Sequence, residues 1–510
     1  RRRGAVSGDG AGPATPGLAR TLGELVASGY RSRTVKDELR DNLRRKLAAG
    51  EPLFPGVLGY ERTVVPGIVN ALLARHDFIL LGLRGQAKSR LLRSLVPLLD
   101  EHVPVLAGSP LNEDPLAPII PQSMARIAEL GDETPIEWLH RDARYNEKLA
   151  TPDVSIADLL GDLDPIKAAT RRLTYADAEV IHFGIVPRTN RGIFAINELP
   201  DLAPRIQVGL LNILEERDLQ IRGFPIRIPL DLLLVFSANP EDYTNRGTII
   251  TPLKDRISSQ ILTHYPPDLA TAQLITEQEA WWRRGTPELA IPDLARQLIE
   301  TIALVARESE LVDQSSGVSA RVSISALELL VSNMERRAWA TGDDPVYPRL
   351  ADLHMVLPAL TGKVEMVYEG EQEGPEVVAR RLVGEAAKRL AAERLPAVEK
   401  AAGSGGEDDT GPYAEMLRWF ADGSAVTLSD QTSDADHLGE LRQVPGLLAL
   451  AADAAQEPAE RALLAELALE ALHQHLKLAR EDLDSRITFR EMVKFQLLKP
   501  HRARRQREDF

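Results

Sequence analysis

The residues best suited to chemistry lie in the segment FILLGLRGQAKSRLLRSL (78–95), which joins an apolar run, a glycine-containing loop and a helical pattern. The loop matches the phosphate-binding pattern G-x-x-x-x-G-K-[ST], except that an alanine replaces the second glycine. In this pattern, backbone N–H groups and the positive end of the following helix, predicted over 88–99, hold phosphate oxygens. Lys88 is expected to reach the β- and γ-phosphates of ATP, and the Ser89 hydroxyl to bind Mg²⁺. The predicted ATP-binding residues of the loop are Gly82, Gly85, Gln86, Ala87, Lys88 and Ser89.

Ala87 is the departure from the pattern. Its methyl group in the loop is expected to be tolerable only if the backbone φ of Ala87 is negative. The alternative for the whole segment is a glycine-rich turn that only connects a strand to a helix.

A second pair of polar residues ends the apolar run of RGIFAINELPDL (191–202). A phosphate-binding loop needs a strand end nearby that holds Mg²⁺ and positions the attacking water. Glu198 is placed to orient or deprotonate that water, whereas Asn197 stands where such motifs usually have aspartate. Because the Asn197 amide brings no negative charge, the sequence predicts a metal site of Ser89 and Asn197 with slow hydrolysis. The alternative is a buried strand that ends in a polar turn.

Asn239 follows a third apolar run, DLLLVFSA (231–238). A polar side chain at this strand end can bridge the γ-phosphate and the attacking water, which would make Asn239 catalytic together with Glu198. Taken alone, Asn-Pro at a strand end is more often only a turn.

Elements of an α/β protein must bring these strand ends together. From about residue 54 to 267, short apolar runs alternate with helical stretches, which is typical of a parallel sheet. Helical patterns follow one another beyond Pro267. The predicted fold class is α/β, a P-loop core with a parallel sheet flanked by helices, then an all-α lid and a mainly helical C-terminal region. The predicted domains are 1–50 (flexible tail and N-terminal helices), 51–267 (nucleotide-binding core), 268–402 (lid) and 403–510 (linker and C-terminal region).

Composition removes several classes of function. The 510 residues carry a net charge of −14, which argues against a general nucleic-acid surface. The chain has no cysteine, which excludes thiol catalysis, thiolate zinc sites and disulfides and predicts a cytoplasmic location. No run reaches the ~20 apolar residues of a membrane span, so no span is predicted.

The order of the motifs resembles an AAA+ ATPase: phosphate-binding loop, acidic strand end, strand ending in asparagine, TPLKDRI (251–257) and a helical lid. Within that superfamily the chain is similar to the branch of the magnesium-chelatase ATPase subunit and the MoxR-type ATPases, over about residues 50–345. The segments that carry this similarity are GDLDPIKAATRRL (161–173), HFGIVPRTNRGIFAINELPDL (182–202) and LNILEERDLQIRGFPIRI (211–228), the last with a predicted β-hairpin.

The resemblance implies further roles. Arg256 is expected to be an arginine finger that reaches ATP on the neighbouring subunit, and Arg321 a sensor that contacts ATP within its own subunit. Arg188 and Arg191 fall where the family places interface arginines. The implied assembly is a homo-oligomeric ring, expected as a hexamer, that uses ATP and Mg²⁺ and acts on a von Willebrand factor A-type partner.

Three functions therefore stand at this point. The first is an ATP-hydrolysing, ring-forming motor that remodels a partner protein. The second is a nucleotide-stabilised scaffold with little hydrolysis, for which Asn197 is the motive. The third is the true ATPase subunit of a porphyrin metal chelatase.

Overall fold

The computed structural model describes residues 18–163, 180–220, 227–239, 248–398, 411–483 and 486–492. The predicted flexible tail at 1–17, most of the segment 161–173 and the linker at 403–410 lie outside the described residues.

The strands are short and numbered in chain order. They are β1 (Phe78–Leu81), β2 (His102–Leu106), β3 (Ile136–His140), β4 (Tyr145–Leu149), β5 (Gly161–Leu163), β6 (Ile181–Phe183), β7 (Gly192–Asn197), β8 (Asp218–Gln220), β9 (Arg227–Pro229), β10 (Leu232–Ala238), β11 (Ser259–Leu262), β12 (Ala425–Ser429), β13 (Leu478–Leu483) and β14 (Arg486–Glu491).

The α-helices of the described residues are numbered in the same way. They are α1 (Leu22–Ala27), α2 (Val35–Ala49), α3 (Val64–Leu73), α4 (Lys88–Arg93), α5 (Pro121–Leu130), α6 (Ile156–Leu159), α7 (Ile185–Arg188), α8 (Pro204–Glu215), α9 (Thr251–Arg256), α10 (Leu269–Glu279), α11 (Asp293–Glu308), α12 (Arg321–Thr341), α13 (Leu357–Thr361), α14 (Tyr368–Glu373), α15 (Pro375–Arg394), α16 (Ala414–Ala421), α17 (Asp434–Gln443), α18 (Leu447–Ala452) and α19 (Pro458–Gln474).

A five-stranded parallel sheet in the order β11-β1-β10-β7-β4 forms the centre of the first half of the chain. The three central strands β1, β10 and β7 are buried along their whole length and consist mostly of apolar residues, whereas the edge strands β4 and β11 carry more polar residues and are partly exposed. Ile79 and Leu81 pack in the core on one face, whereas Phe78 and Leu80 pack in the core on the other. This sheet with its flanking helices confirms the predicted α/β P-loop fold class. The predicted hairpin is also confirmed, since β8 and β9 pair antiparallel, although its turn at 221–226 lies outside the described residues.

The helix that follows the loop is shorter than predicted. Instead of running over 88–99, α4 ends at Arg93, and a separate 3-10 turn covers Val96–Leu98. Pro97 explains the break because proline supplies no N–H to the helix and restricts the residue before it.

By their contacts the residues form two compact units, the first of 1–82 and 87–263 and the second of 83–86 and 264–510. In the second unit, helices α11, α12, α15 and α19 share one apolar core with the strands β12 to β14. Those strands form an antiparallel sheet in the order β12-β14-β13, which the sequence analysis did not predict within a mainly helical region. The four-part domain division stays a prediction. Within the described residues, no helix is both long and apolar enough to cross a membrane.

Candidate functional site

Three neighbouring strands of the parallel sheet end beside one another. Strand β10 lies between β1 and β7, with Leu81 opposite Ala238 and Ile196 opposite Phe236. The carboxyl ends of parallel strands meet at one edge of a sheet, where ligands of open α/β folds bind. The candidate residues that follow these strands therefore lie together, as the sequence predicts for Lys88, Asn197, Glu198 and Asn239.

Lys88 is the cation of this edge. Its side chain is buried, with 7% of the residue exposed. The ammonium group donates to the carbonyl of Gly82, at the end of β1, and to Oδ1 of Asn239, at 2.6 Å. Because Lys88 is the first residue of α4, its backbone N–H also lies at the positive end of that helix. A buried ammonium beside a helix start favours an anion such as a phosphate.

Asn239 joins this cation to the candidate base. Its Nδ2 donates to Oε2 of Glu198 at 2.9 Å, while its Oδ1 accepts from Lys88. Glu198 itself has a left-handed backbone, with φ at 56° and ψ at 50°. Such a conformation costs a non-glycine residue of order 1–3 kcal/mol and is concentrated at functional sites. The strained turn places the carboxylate within reach of the Asn239 amide.

Asn197 lies in a second set of contacts at the same edge. Its Oδ1 accepts from the Ser89 hydroxyl at 3.2 Å and from the Ser237 hydroxyl at 3.1 Å. Sequence reasoning missed Ser237, which has no exposed surface. A signal was present, because Ser237 is the one hydroxyl residue in the apolar strand β10.

The donors at this edge suit Mg²⁺ that arrives with a nucleotide. Mg²⁺ keeps several water ligands and is usually held by one or two protein oxygens together with substrate phosphates. The Ser89 hydroxyl can supply such an oxygen, while Asn197 Oδ1 lies beside it and accepts hydrogen bonds from Ser89 and Ser237. Among the residues that the structure describes, no group of three His, Cys, Asp or Glu side chains could hold a metal alone. The site therefore fits a metal shared with phosphate rather than one caged by protein.

The expectation for Ala87 was wrong. Its φ is +54° and its ψ 19°, which is the left-handed region, rather than negative. The turn that starts α4 imposes this backbone whatever residue occupies the position. Left-handed backbone costs an L-residue roughly 1–2 kcal/mol, so this loop retains the conformation that usually selects glycine.

Replacing Ala87 with glycine is expected to raise the free energy of unfolding by about 0.5–1 kcal/mol. Glycine removes the energetic penalty of the left-handed backbone. It also makes the unfolded chain more flexible, which lowers the free energy of unfolding by about 0.4–1 kcal/mol. Urea unfolding measures the change. Ala74 at the end of α3 has a φ of −81°, so Ala74→Gly is the matched control and should destabilise. An equal loss of stability in both variants would contradict the strain at Ala87.

The loop residues 83–86 belong to the second unit. The carbonyl of Arg84 accepts from the Tyr265 hydroxyl at 3.4 Å, and the Arg84 guanidinium pairs with Glu365. Gly85 has a φ of +74°, and a Cβ added to it would lie 2.1 Å from the Ser319 hydroxyl oxygen. Gly85 is therefore required both by its backbone conformation and by the close approach of Ser319, while Gln86 is buried.

The candidate arginines Arg256 and Arg321 make other contacts, each within its own unit. Arg256, at the end of α9, donates to Oε2 of Glu215 at 2.7 Å, and this bond raises the pKa of Arg256. Arg321 is exposed at the start of α12 in the second unit. Its carbonyl accepts from Lys363 at 3.2 Å, and partial burial lowers the pKa of that lysine, with the Arg321 charge adding to the effect. The predicted roles of Arg256 and Arg321 toward ATP stay predictions.

The expectation of an interface role does not suit Arg191. Its side chain is buried and donates to the Pro104 carbonyl at 2.5 Å and to the Tyr30 hydroxyl at 2.9 Å. It also lies 3.4 Å from the carboxylate of Asp114. These contacts give Arg191 a structural role inside the first unit, whereas Arg188 is exposed.

The sheet order and the loop between β1 and α4 place the chain in the α/β P-loop class. Neither a protein-family model nor a curated protein sequence matches it. Among solved structures it is similar to a candidate ATPase from Cytophaga hutchinsonii, with 15% identity, a TM-score of 0.28, and coverage of 71% of this chain and 97% of that one.

Two other solved structures are similar over comparable lengths. The complex of subunits BchI and BchD of magnesium chelatase has 20% identity and a TM-score of 0.34, covering 68% of this chain and 96% of that one. NtrX from Brucella abortus in complex with ATP has 13% identity and a TM-score of 0.36, covering 79% of this chain and 72% of that one. The similarity concerns the fold alone.

Proposed function

We propose that the chain binds ATP with Mg²⁺ at the carboxyl edge of its parallel sheet and hydrolyses it as a ring-forming motor that remodels a partner protein. The observation that carries this proposal is the bridge made by Asn239, which contacts the buried ammonium of Lys88 and the carboxylate of Glu198. Asn239 thereby holds a cation that can neutralise phosphate close to a group that can accept a proton. Hydrolysis of a phosphoanhydride uses both groups.

Each residue has a separate task in this proposal. Lys88 offsets the negative charge of the phosphates, and Glu198 takes a proton from the attacking water. Asn239 sets the distance between the two groups. Mg²⁺, when bound at the Ser89 oxygen beside Asn197, would supply positive charge to the phosphate oxygens. Because Asn197 adds no charge, we expect hydrolysis to be slow.

The scaffold remains the second candidate, and the neutral Asn197 amide at the proposed metal site favours it. The two candidates differ in the effect that replacing Glu198 has on the ATPase rate. A scaffold would bind ATP tightly, and its turnover would be the same with and without Glu198. A role as the ATPase subunit of a porphyrin metal chelatase is an alternative form of the motor, distinguished by its client.

Ring formation is proposed from the place of Arg256 in the motif order. In this arrangement Arg256 serves the ATP of the neighbouring subunit, with a hexamer as the expected ring and a von Willebrand factor A-type protein as its partner. Residues 51–267 form the core and residues 268–402 the lid of the proposed motor, with Arg321 as the sensor.

Mixing two inactive variants tests this arrangement. Arg256→Ala and Glu198→Gln should each lower the ATPase rate strongly, but mixed rings contain some interfaces with both residues intact. We therefore expect the mixture to hydrolyse ATP faster than either variant, measured as steady-state phosphate release. Lys254→Ala, on the same helix, is the matched control for Arg256→Ala. Mixed rings that co-assemble without any gain in rate would show that Arg256 does not act across the interface.

A further inference from the structure

We infer that Ser237 is a positioning residue that fixes the orientation of the Asn197 side-chain amide and, through it, the hydroxyl proton of Ser89. This inference rests on the proposed function, because it concerns how the chain prepares its oxygens for Mg²⁺ bound with nucleotide. Ser237 itself lies one residue before the end of β10, in the middle strand of the three that meet at the site.

The contacts of Ser237 have a defined direction. Its hydroxyl oxygen accepts from the backbone N–H of Glu198 at 3.4 Å. Its single proton therefore points to Oδ1 of Asn197, at 3.1 Å. Because Ser237 has no exposed surface, water does not compete for either contact.

This direction decides which end of the amide faces Ser89. An asparagine side chain has one acceptor end and one donor end. With Oδ1 held toward Ser237 and Ser89, the Ser89 proton is given to Asn197, at 3.2 Å. The lone pairs of the Ser89 oxygen then stay available for a cation. A flipped amide would instead donate to Ser89 and occupy one of those lone pairs.

An aspartate at position 197 would not need this control. Both oxygens of a carboxylate accept hydrogen bonds, so a rotation of the group changes nothing at Ser89. The two ends of the Asn197 amide differ, so this side chain needs Ser237 to fix its orientation. A carboxylate, whose two oxygens are equivalent, would not. We therefore expect the effect of replacing Ser237 on Mg²⁺-dependent nucleotide binding to depend on the residue at position 197.

A four-variant comparison tests this dependence: the unmodified protein, Ser237→Ala, Asn197→Asp, and the double variant. The readout is the affinity for ATPγS, measured by calorimetry with and without Mg²⁺, expressed as the ratio by which Mg²⁺ strengthens binding. Ser237→Ala is expected to lower this ratio about fivefold, the worth of one hydrogen bond, with little change in affinity when Mg²⁺ is absent. In the Asn197→Asp background the same substitution should change the ratio by less than about twofold.

The matched control is Ser259→Ala. Ser259 begins β11 in the same sheet, at the opposite, amino end of the strands, and its hydroxyl contacts His76 at 2.7 Å. This variant should leave the Mg²⁺ ratio unchanged. If Ser237→Ala does not fold, as judged by circular dichroism, Ser237→Cys replaces it, since the thiol is a much weaker donor.

Two results would overturn the inference while the proposed function stands. One is an unchanged Mg²⁺ ratio in Ser237→Ala. The other is an equal loss in both backgrounds, which would show that Ser237 only supports the strand. By contrast, an unmodified protein that binds no ATPγS would overturn the proposed function itself and the inference with it.

Discussion

Replacing Glu198 with glutamine is expected to lower the rate of ATP hydrolysis by about 10²–10⁴-fold, the usual worth of a positioned general base. The glutamine carbonyl can still accept from Asn239 Nδ2, which contacts Glu198 at 2.9 Å, so the shape of the site is kept. The amide cannot take a proton from water. The dissociation constant for ATP should therefore stay within about twofold of the unmodified value.

The measurement combines steady-state phosphate release with calorimetry of ATP binding. Glu137→Gln is the matched control, because Glu137 is exposed on β3, and it should leave both quantities unchanged. If the unmodified protein hydrolyses ATP no faster than Glu198→Gln, the chain is the nucleotide-stabilised scaffold rather than a motor.

Replacing Lys88 is expected to weaken ATP binding itself, whereas Glu198→Gln should leave ATP binding nearly unchanged. Lys88→Ala deletes a charge-assisted contact to phosphate, worth about 1.5–3 kcal/mol, so ATP should bind about 10- to 150-fold more weakly. The variant also removes the Lys88 donor from the Gly82 carbonyl and from Asn239 Oδ1. We therefore expect a lower thermal midpoint as well, because buried polar groups that lose a partner destabilise the fold.

Calorimetry with ATP and Mg²⁺ measures the loss of binding. Lys46→Ala is the control, since Lys46 pairs with Glu51 at the surface and should affect neither binding nor stability appreciably. An unchanged affinity for ATP in a folded Lys88→Ala protein would disprove the assignment of residues 82–89 as a phosphate-binding loop.

Sequence patterns predicted the parts of the site that depend on local order. The three apolar runs became β1, β7 and β10 because continuous β-branched and aliphatic residues bounded by turn residues favour buried parallel strands. Their order along the chain was enough to predict polar groups at the strand ends, and Lys88, Asn239 and Glu198 do meet there.

The remaining features depend on tertiary contacts that no local pattern encodes. The sign of φ at Ala87 follows from the turn geometry that joins β1 to α4, which overrides the preference of alanine. The contact of Ser237 with Asn197 arises because β10 lies beside β7 in the sheet, which no local pattern shows. Arg191 lies at a position in the motif order where the resemblance implies an interface arginine. Its side chain is instead buried in contact with Asp114 and Tyr30, which are distant in sequence.

The order of strands in the sheet also has a consequence for how the chain is synthesised. Strand β1 lies between β10 and β11, since Phe78 is opposite Val235 and Ser259. Its partners therefore leave the ribosome about 10–40 s after it, at synthesis rates of 5–20 residues per second. During that interval the apolar residues of FILL lack the two strands with which they pair in the folded protein. The start of the loop after β1 can take its final position only after β10 has emerged, since the Gly82 N–H donates to the carbonyl of Ala238 at 3.2 Å.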